Sequence, residues 1–144
     1  MPVIRDTFEQ NMLFPLPVTG YSMLPTLRPG RDRVFICKAE LPLRKFDIPL
    51  YQRDNGRYIL HRVVSVRKDG TYRCRGDHQI VTEQPVRPDQ IIAVVAAIER
   101  SGRRIPATSY SYRLYVRVWH LIYPIRYVLA GIHACFSRIQ SSGR

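Results

Sequence analysis

Short apolar segments alternate with turn signals between residues 33 and 99. Arg33–Lys38 is apolar and β-branched, and Arg57–Val66 alternates between polar residues and Tyr, Ile or Val. The Asp-Asn-Gly at 54–56 and the Asp-Gly at 69–70 are typical of tight turns between strands. We therefore predict a hairpin in which Arg57–Val66 is followed by a returning strand at Thr71–Arg75.

Other segments of this region are harder to assign. Ile48–Gln52 is a candidate strand, and Pro49 predicts that it is an edge strand or carries a bulge. Ile91–Ile98 is too short for its periodicity to separate a buried strand from a helix. A turn at 101–102 leads into Arg103–Ile105. Many short strands with turns between them predict a mainly β, β-rich α+β fold.

The two ends of the chain differ from this region. Residues 1–18 form an N-terminal lead-in, in which the prolines hold Phe14 to Val18 extended. The β-domain is predicted over 19–106 and a helical C-terminal segment over 107–144. Within Ser111 to Phe136, apolar residues recur with helical spacing and Pro124 is expected to kink or divide the helix. The apolar stripe comprises Leu114, Val118, Leu121, Ile125, Val128 or Leu129, and Ile132, and another face carries Arg113, Arg117 and His120.

Composition and charge refine this outline. The 144 residues are 45% hydrophobic and 24% charged, which is typical of a globular chain. The net charge is +12, and the last 44 residues contain seven arginines and no Lys, Asp or Glu. Such a segment suits an anionic lipid surface or a nucleic acid, and a basic face without a specific partner is the alternative.

The first residues of the chain bear on secretion, and the cysteines bear on disulfide and metal binding. Met1 to Met12 is polar and has no apolar core, so we predict no secretory signal peptide. No uncharged apolar run reaches 18 residues. Cys37, Cys74 and Cys135 have no zinc-like spacing, and Cys37 and Cys74 are predicted to be buried free thiols rather than a disulfide. We predict no metal and no cofactor.

Three local features carry residues capable of catalysis. Ser22 lies in the loop GYSMLPTLRPG, where Gly20 and Pro25 bracket a serine that can face a cleft. His61 lies in the apolar segment LHRVV, and a neutral imidazole can take the proton of a serine hydroxyl during attack. Asp77 lies in a Gly-Asp turn, where a carboxylate could orient that imidazole. Each feature alone is better explained as an ordinary turn or strand residue.

Taken together and in this order, the segments resemble a known family. The loop GYSMLPTLRPG resembles the nucleophile box of signal peptidase I and of LexA-like self-cleaving proteins. LHRVV resembles the box of the general base, RGDHQIVTE resembles the later Gly-Asp box, and FDIPLYQR resembles a strand between the first two boxes. The resemblance covers roughly residues 18–105 and implies the β-fold of that family.

The residue at the base position indicates the subtype. His61 stands where bacterial housekeeping signal peptidases and LexA-like proteins have lysine, as in the endoplasmic-reticulum, archaeal and sporulation-type enzymes. The resemblance thus implies Ser22 as nucleophile and His61 as base. It also places acidic residues at Asp77 and Glu83, and leaves open which of the two touches His61. By resemblance, Gly20, Tyr21, Met23 and Pro25 lie in the substrate-binding loop, although packing explains Met23 equally well.

Three departures from the family pattern bear on the mechanism. Gly20 replaces a serine whose hydroxyl assists the oxyanion in many members, so backbone N–H groups must serve. The Gly-Asp after the nucleophile loop is lengthened by Arg31, and Phe46 replaces the usual glycine before Asp47. The N-terminal transmembrane anchor of the family is not found in the 21 residues before Ser22.

The resemblance implies a serine endopeptidase that cleaves an extended leader or signal peptide after small residues. A catalytically degenerate peptide-binding module and a LexA-like self-cleaving regulator are the alternatives, and a nucleic-acid partner is not expected because no binding motif is present. The C-terminal segment predicts membrane association, either peripheral or as an anchor, with a cytoplasmic location as the alternative. We favour an interfacial amphipathic helix over a spanning one, because Arg126 and Pro124 disfavour insertion. A helix packed on the β-domain is the competing interpretation.

Overall fold

The computed structural model describes residues 13–129. The strands are β1 (Phe14–Pro17), β2 (Asp32–Lys38), β3 (Pro49–Gln52), β4 (Tyr58–Leu60), β5 (Arg62–Val66), β6 (Tyr72–Arg75), β7 (Ile91–Arg100) and β8 (Arg103–Pro106), and helix α1 is Tyr110–Leu121. A 3-10 turn, Pro88–Gln90, precedes β7. The prediction of a mainly β fold followed by a helical C-terminal segment is confirmed.

Strand β7 organises the larger of two antiparallel sheets. The order is β1-β2-β7-β3-β4, and β8 also pairs with β7. Ile91, Ala93, Val95 and Ala97 are buried with a period of two, which is the signature of a strand with one covered face. The undecided segment Ile91–Ile98 is therefore a strand, and it extends to Arg100 before the predicted turn.

For the segment that contains Pro49, we predicted either an edge strand or a bulge, and the structure contains the bulge. Strand β3 lies between β7 and β4, so it is not an edge strand. Pro49 is its first residue, where the missing N–H interrupts no bond further along the strand. The pairing with β7 shifts register between Leu50 and Tyr51, which is the bulge that was the other alternative.

The predicted strand Arg57–Val66 is divided at His61. Its first part is β4, which pairs with β3 in the larger sheet. Its second part is β5, which pairs with β6 in a separate two-stranded sheet. The single predicted strand is therefore wrong. His61 thus stands where the chain passes from one sheet to the other.

A compact apolar cluster joins the two sheets. It contains residues of β3, β5, β6 and β7 together with loop residues: Leu43, Tyr51, Val63, Tyr72, Cys74, Val86 and Ile91. Fully burying one large apolar side chain contributes about 1.5–3 kcal/mol. The cluster therefore fixes the small sheet against the large one, and with it the position of the β4–β5 junction.

The cysteines of this region are unpaired. Both are free thiols, as predicted, but the predicted burial holds only for Cys74, since Cys37 is half-buried. Burial, together with the charge of Glu83, raises the pKa of the Cys74 thiol to about 12. Cys74 is thus an apolar core residue at neutral pH. Cys135 lies outside the described residues.

Residues from Tyr110 onward form a second compact unit. Helix α1 ends at Leu121, and a further helical stretch occupies residues 123–129, so the helix is interrupted beside Pro124 as predicted. Val116 is buried, whereas the predicted stripe is exposed at Leu114, Val118 and Leu121. The remaining stripe position Ile132 and the predicted helix end at Phe136 lie outside the described residues. Within residues 13–129, no helix has the length and apolar character needed to cross a membrane.

Candidate active site

The loop that carries Ser22 is anchored at both ends and underneath. Met23 and Leu27 are buried, and the Leu27 N–H donates to the Met23 carbonyl over 2.9 Å. At the exit of the loop, the Arg28 N–H donates to a carboxylate oxygen of Asp32 over 2.9 Å. Together with the hydrogen bond from the Gly30 N–H to the Val18 carbonyl over 3.2 Å, these contacts fix the backbone on either side of Ser22, which itself stays half-buried.

Asp32 is itself held by β7. Burial raises the pKa of this carboxyl, but the hydrogen bond from Arg100 and that from the Arg28 N–H outweigh it, so the pKa lies below its usual value. Arg100 also donates to the Thr26 carbonyl over 2.8 Å. The extra residue Arg31, which departs from the family pattern, therefore leaves Asp32 in position to brace the loop.

His61 meets Ser22 at the junction of the two sheets. His61 Nε2 lies 3.1 Å from Ser22 Oγ, although 39 positions separate the two residues in the chain. The imidazole is buried, with 4% of the residue exposed. Because Nε2 faces a hydroxyl that must lose its proton, the tautomer suited to attack carries its proton on Nδ1.

Glu83 approaches the other ring nitrogen. Glu83 Oε1 lies 3.4 Å from His61 Nδ1, and the Glu83 N–H donates to the Cys74 carbonyl over 2.8 Å, which fixes its backbone beside β6. Arg53 Nη2 bonds the same Oε1 atom. Ser22, His61 and Glu83 thus form a line in which a carboxylate can stabilise the imidazolium that appears during proton transfer.

Asp77 has a different role, which answers the question left open by the resemblance. Arg62 Nε and Nη2 donate to its two oxygens over 2.8 and 2.7 Å, and the Thr26 hydroxyl donates over 2.5 Å. Arg62 also donates to the Phe46 carbonyl over 3.0 Å. Asp77 therefore ties the Ser22 loop to the strand that follows His61, while Glu83 faces the imidazole.

The electrostatic surroundings favour a neutral imidazole. Burial lowers the pKa of His61 below its ordinary value, the charge of Glu83 opposes this, and the charge of Arg53 adds to it. Burial also raises the pKa of Tyr51, so this phenol stays protonated. At neutral pH His61 is therefore mostly unprotonated and able to accept a proton.

Two residues of the site were missed by the sequence analysis. The Tyr51 hydroxyl lies 3.4 Å from His61 Nδ1, and its ring meets the imidazole edge at 67°. Arg53 pairs with Glu83. Tyr51 lies in β3 and Arg53 directly follows that strand, two positions later, as residues on one side of an extended chain do. Their spacing of two positions in the sequence indicates that the two side chains share a face, but it does not indicate that this face meets His61 and Glu83.

The residues predicted to bind substrate are distributed around the loop. Gly20 and Tyr21 are exposed, with Tyr21 at 71%, and Pro25 is half-buried. Met23 is 2% exposed, so its side chain packs in the core, which was the alternative account of it. No cluster of three or more potential metal ligands occurs among residues 13–129.

Comparison with known proteins found no matching family model, no similar curated protein and no similar solved structure. The resemblance to signal peptidase I therefore stays a prediction that depends on the residues quoted above.

Proposed function

We propose that the chain is a serine endopeptidase of the signal peptidase type, with Ser22 as nucleophile and His61 as general base. One observation carries the proposal: Ser22 Oγ and His61 Nε2 are 3.1 Å apart, while Glu83 lies at the opposite ring nitrogen. A nucleophile, a base within hydrogen-bonding distance and a third group that orients the base are the requirements for nucleophilic catalysis by serine.

The reaction follows from these contacts. His61 Nε2 takes the Ser22 proton as Oγ bonds to the substrate carbonyl carbon, and Glu83 stabilises the resulting imidazolium. His61 then gives that proton to the departing amine as the C–N bond breaks, leaving an acyl-serine. A water molecule, deprotonated by His61, then attacks the acyl carbon, and His61 returns the proton to Ser22 Oγ as the C–Oγ bond breaks and the acid leaves. Since Gly20 has no hydroxyl, backbone N–H groups, including that of Ser22, would bind the oxyanion.

The substrate is proposed to be an extended leader or signal peptide with small residues before the scissile bond. Strand β4 supports this, because it stands at the end of the order of the larger sheet and leads directly into His61. An edge strand can pair with an extended peptide through its backbone. A peptide bound there would pass the imidazole and reach Ser22.

The proposal is tested by acylation of the protein with a p-nitrophenyl ester of a small acyl group. We expect peptide mapping by mass spectrometry to find the acyl group on Ser22, with labelling lost in both Ser22→Ala and His61→Gln. His78→Gln is the matched control, because His78 is exposed and contacts the Ser22 carbonyl through its backbone N–H. Hydrolysis of a peptide with alanine before the scissile bond by the Ser22→Ala variant would contradict the proposal.

The same test separates the alternatives. A degenerate peptide-binding module would bind the peptide without acylation at Ser22. A self-cleaving regulator would cleave its own chain at a rate independent of protein concentration, and leave an added peptide intact.

We further propose that the C-terminal helix binds an anionic membrane surface. Leu114 and Leu121 of α1 are 48% and 76% exposed, and Arg113 and Arg117 are exposed beside them. The buried Val116 lies on the opposite side of the helix from these leucines. Apolar side chains flanked by arginines, in a segment without acidic residues, suit a bilayer interface with anionic headgroups.

Flotation with vesicles tests the membrane proposal. We expect the intact chain to float with phosphatidylglycerol-containing vesicles and to bind pure phosphatidylcholine weakly, because arginines contribute about 1 kcal/mol each only at an anionic surface. Leu114→Ser/Leu121→Ser should lose flotation through the apolar contact, and Arg113→Gln/Arg117→Gln should lose the preference for anionic lipid. Equal flotation of the intact chain and the Leu114→Ser/Leu121→Ser variant would contradict the proposal.

A further inference from the structure

Arg53 is placed by the hairpin that joins β3 to β4. It follows the last residue of β3, its N–H donates to the Arg57 carbonyl over 2.9 Å, and its carbonyl accepts the Gly56 N–H over 2.8 Å. These bonds close the turn and fix the backbone of Arg53. The side chain therefore leaves the hairpin in a defined direction, on the same side of the strand as Tyr51.

The guanidinium and the imidazole share one carboxylate oxygen. Arg53 Nη2 bonds Glu83 Oε1, and the same atom lies 3.4 Å from His61 Nδ1. The Arg53 side chain is 33% exposed, that of Glu83 is 17% exposed and that of His61 only 5%. The three groups form a line from solvent to the buried imidazole, so Arg53 contacts the end of the catalytic residues that is remote from Ser22.

We propose that Arg53 is a positioning residue, which holds the Glu83 carboxylate against His61 Nδ1 and balances its charge there. The proposal rests on the proposed function for its catalytic meaning. Its structural content, a cation that acts on His61 through Glu83, is independent of any activity. Without Arg53, the Glu83 carboxylate would face the buried imidazole with its charge unbalanced and its orientation no longer fixed by a second partner.

Removing Arg53 and removing Glu83 should shift the His61 pKa in opposite directions. The groups facing the ring are the Ser22 hydroxyl, the Tyr51 phenol, the Glu83 and Asp77 carboxylates and the Arg53 guanidinium. Glu83 favours the imidazolium and Arg53 disfavours it. Asp77 is already paired with Arg62, so it is common to all variants below.

The decisive experiment is an NMR titration of the His61 ring protons in the full chain. The protein has four histidines, and the His61 signal is assigned by its absence from His61→Gln. We expect the His61 pKa to rise in Arg53→Met, because a cation is lost and the released carboxylate pairs with the imidazolium. It should fall in Glu83→Gln and stay near the wild-type value in Arg53→Lys, which keeps the charge.

The rate of Ser22 acylation by the p-nitrophenyl ester gives a second readout. Above the His61 pKa, Arg53→Met should slow acylation roughly tenfold, since a less ordered base spends less time aligned with the nucleophile. Arg53→Lys should recover most of that loss. Arg53→Met/Glu83→Gln should be no slower than Glu83→Gln alone, because the two side chains act as one unit.

Several results would overturn the proposal. A His61 pKa that is unchanged in Arg53→Met, or that falls as in Glu83→Gln, would show that Arg53 does not balance the Glu83 charge at His61. Additive rate losses in the double variant would show that it does not act through Glu83. Arg53→Gln provides a second neutral variant if Arg53→Met does not fold. If wild-type protein is not acylated at Ser22, the proposed function fails, while the titration still decides the role of Arg53.

Discussion

Replacing Asp77 with alanine should lower the free energy of unfolding by about 3–5 kcal/mol, the usual cost of breaking a buried ion pair. Arg62 has no exposed side-chain surface and Asp77 only 1%. Removing the carboxylate would leave a guanidinium charge inside the protein and would deprive the Thr26 hydroxyl of its acceptor. Chemical denaturation of Asp77→Ala, monitored by circular dichroism, measures this loss.

Two further variants make this prediction specific to the buried pair. Asp54→Asn removes an exposed carboxylate that pairs with Arg87, and its effect should be too small to measure because water screens such pairs. Arg62→Met/Asp77→Leu should lose less stability than Asp77→Ala, since no charge remains buried. An Asp77→Ala protein that unfolds at nearly the wild-type denaturant concentration would show that the pair does not hold the site together.

The position of Asp77 explains why such a loss would extend to the candidate site. Its partners come from the Ser22 loop, through Thr26, and from the strand after His61, through Arg62. The carboxylate therefore joins the two segments that present Ser22 and His61. The Gly-Asp turn was noticed in the sequence as a source of an orienting group, but the pattern could not show that Asp77 faces a buried arginine.

Parts of the fold followed directly from local pattern, while others required long-range contacts. The hairpin at Asp69-Gly70 and the strand Arg33–Lys38 were predictable, because alternation and turn residues act within a few positions. The division at His61 was not, since β4 and β5 are both apolar and differ only in which sheet they join. The interior place of β3 also depends on its pairing with β7, which is 40 positions away.

In the candidate site, too, the sequence motifs indicated individual residues, whereas the contacts between them are known only from the structure. Ser22, His61 and Glu83 were identified through the resemblance, and the 3.1 Å contact between the first two is a finding of the structure. Phe46 illustrates what a motif position can reveal. It stands where the family has glycine, and its φ of 80° lies in the left-handed region that glycine favours. Arg53 and Tyr51 belong to no quoted motif position with a catalytic role.

Gly76 of the Gly-Asp turn lies directly against Ser22. A Cβ atom at this position would lie 2.4 Å from the Ser22 carbonyl oxygen and 2.9 Å from Ser22 Cβ. The same carbonyl oxygen is also held by a hydrogen bond, because the His78 N–H donates to it over 2.9 Å. Any side chain at position 76 must therefore push the Ser22 backbone away from the turn, since backbone atoms cannot adjust as a flexible side chain can.

Gly76→Ala should consequently slow Ser22 acylation roughly 100-fold, since a displacement of about 1 Å is enough for such a loss. It should also lower the free energy of unfolding by about 1–3 kcal/mol, as overpacking does. Gly20→Ala is the matched control for stability, because a Cβ there meets only Ser22 Oγ at 4.0 Å. Gly76→Ala that is as stable and as readily acylated as wild type would mean that the Gly-Asp turn does not fix the nucleophile. A loss confined to Gly76→Ala would identify this backbone contact as what keeps Ser22 within reach of His61.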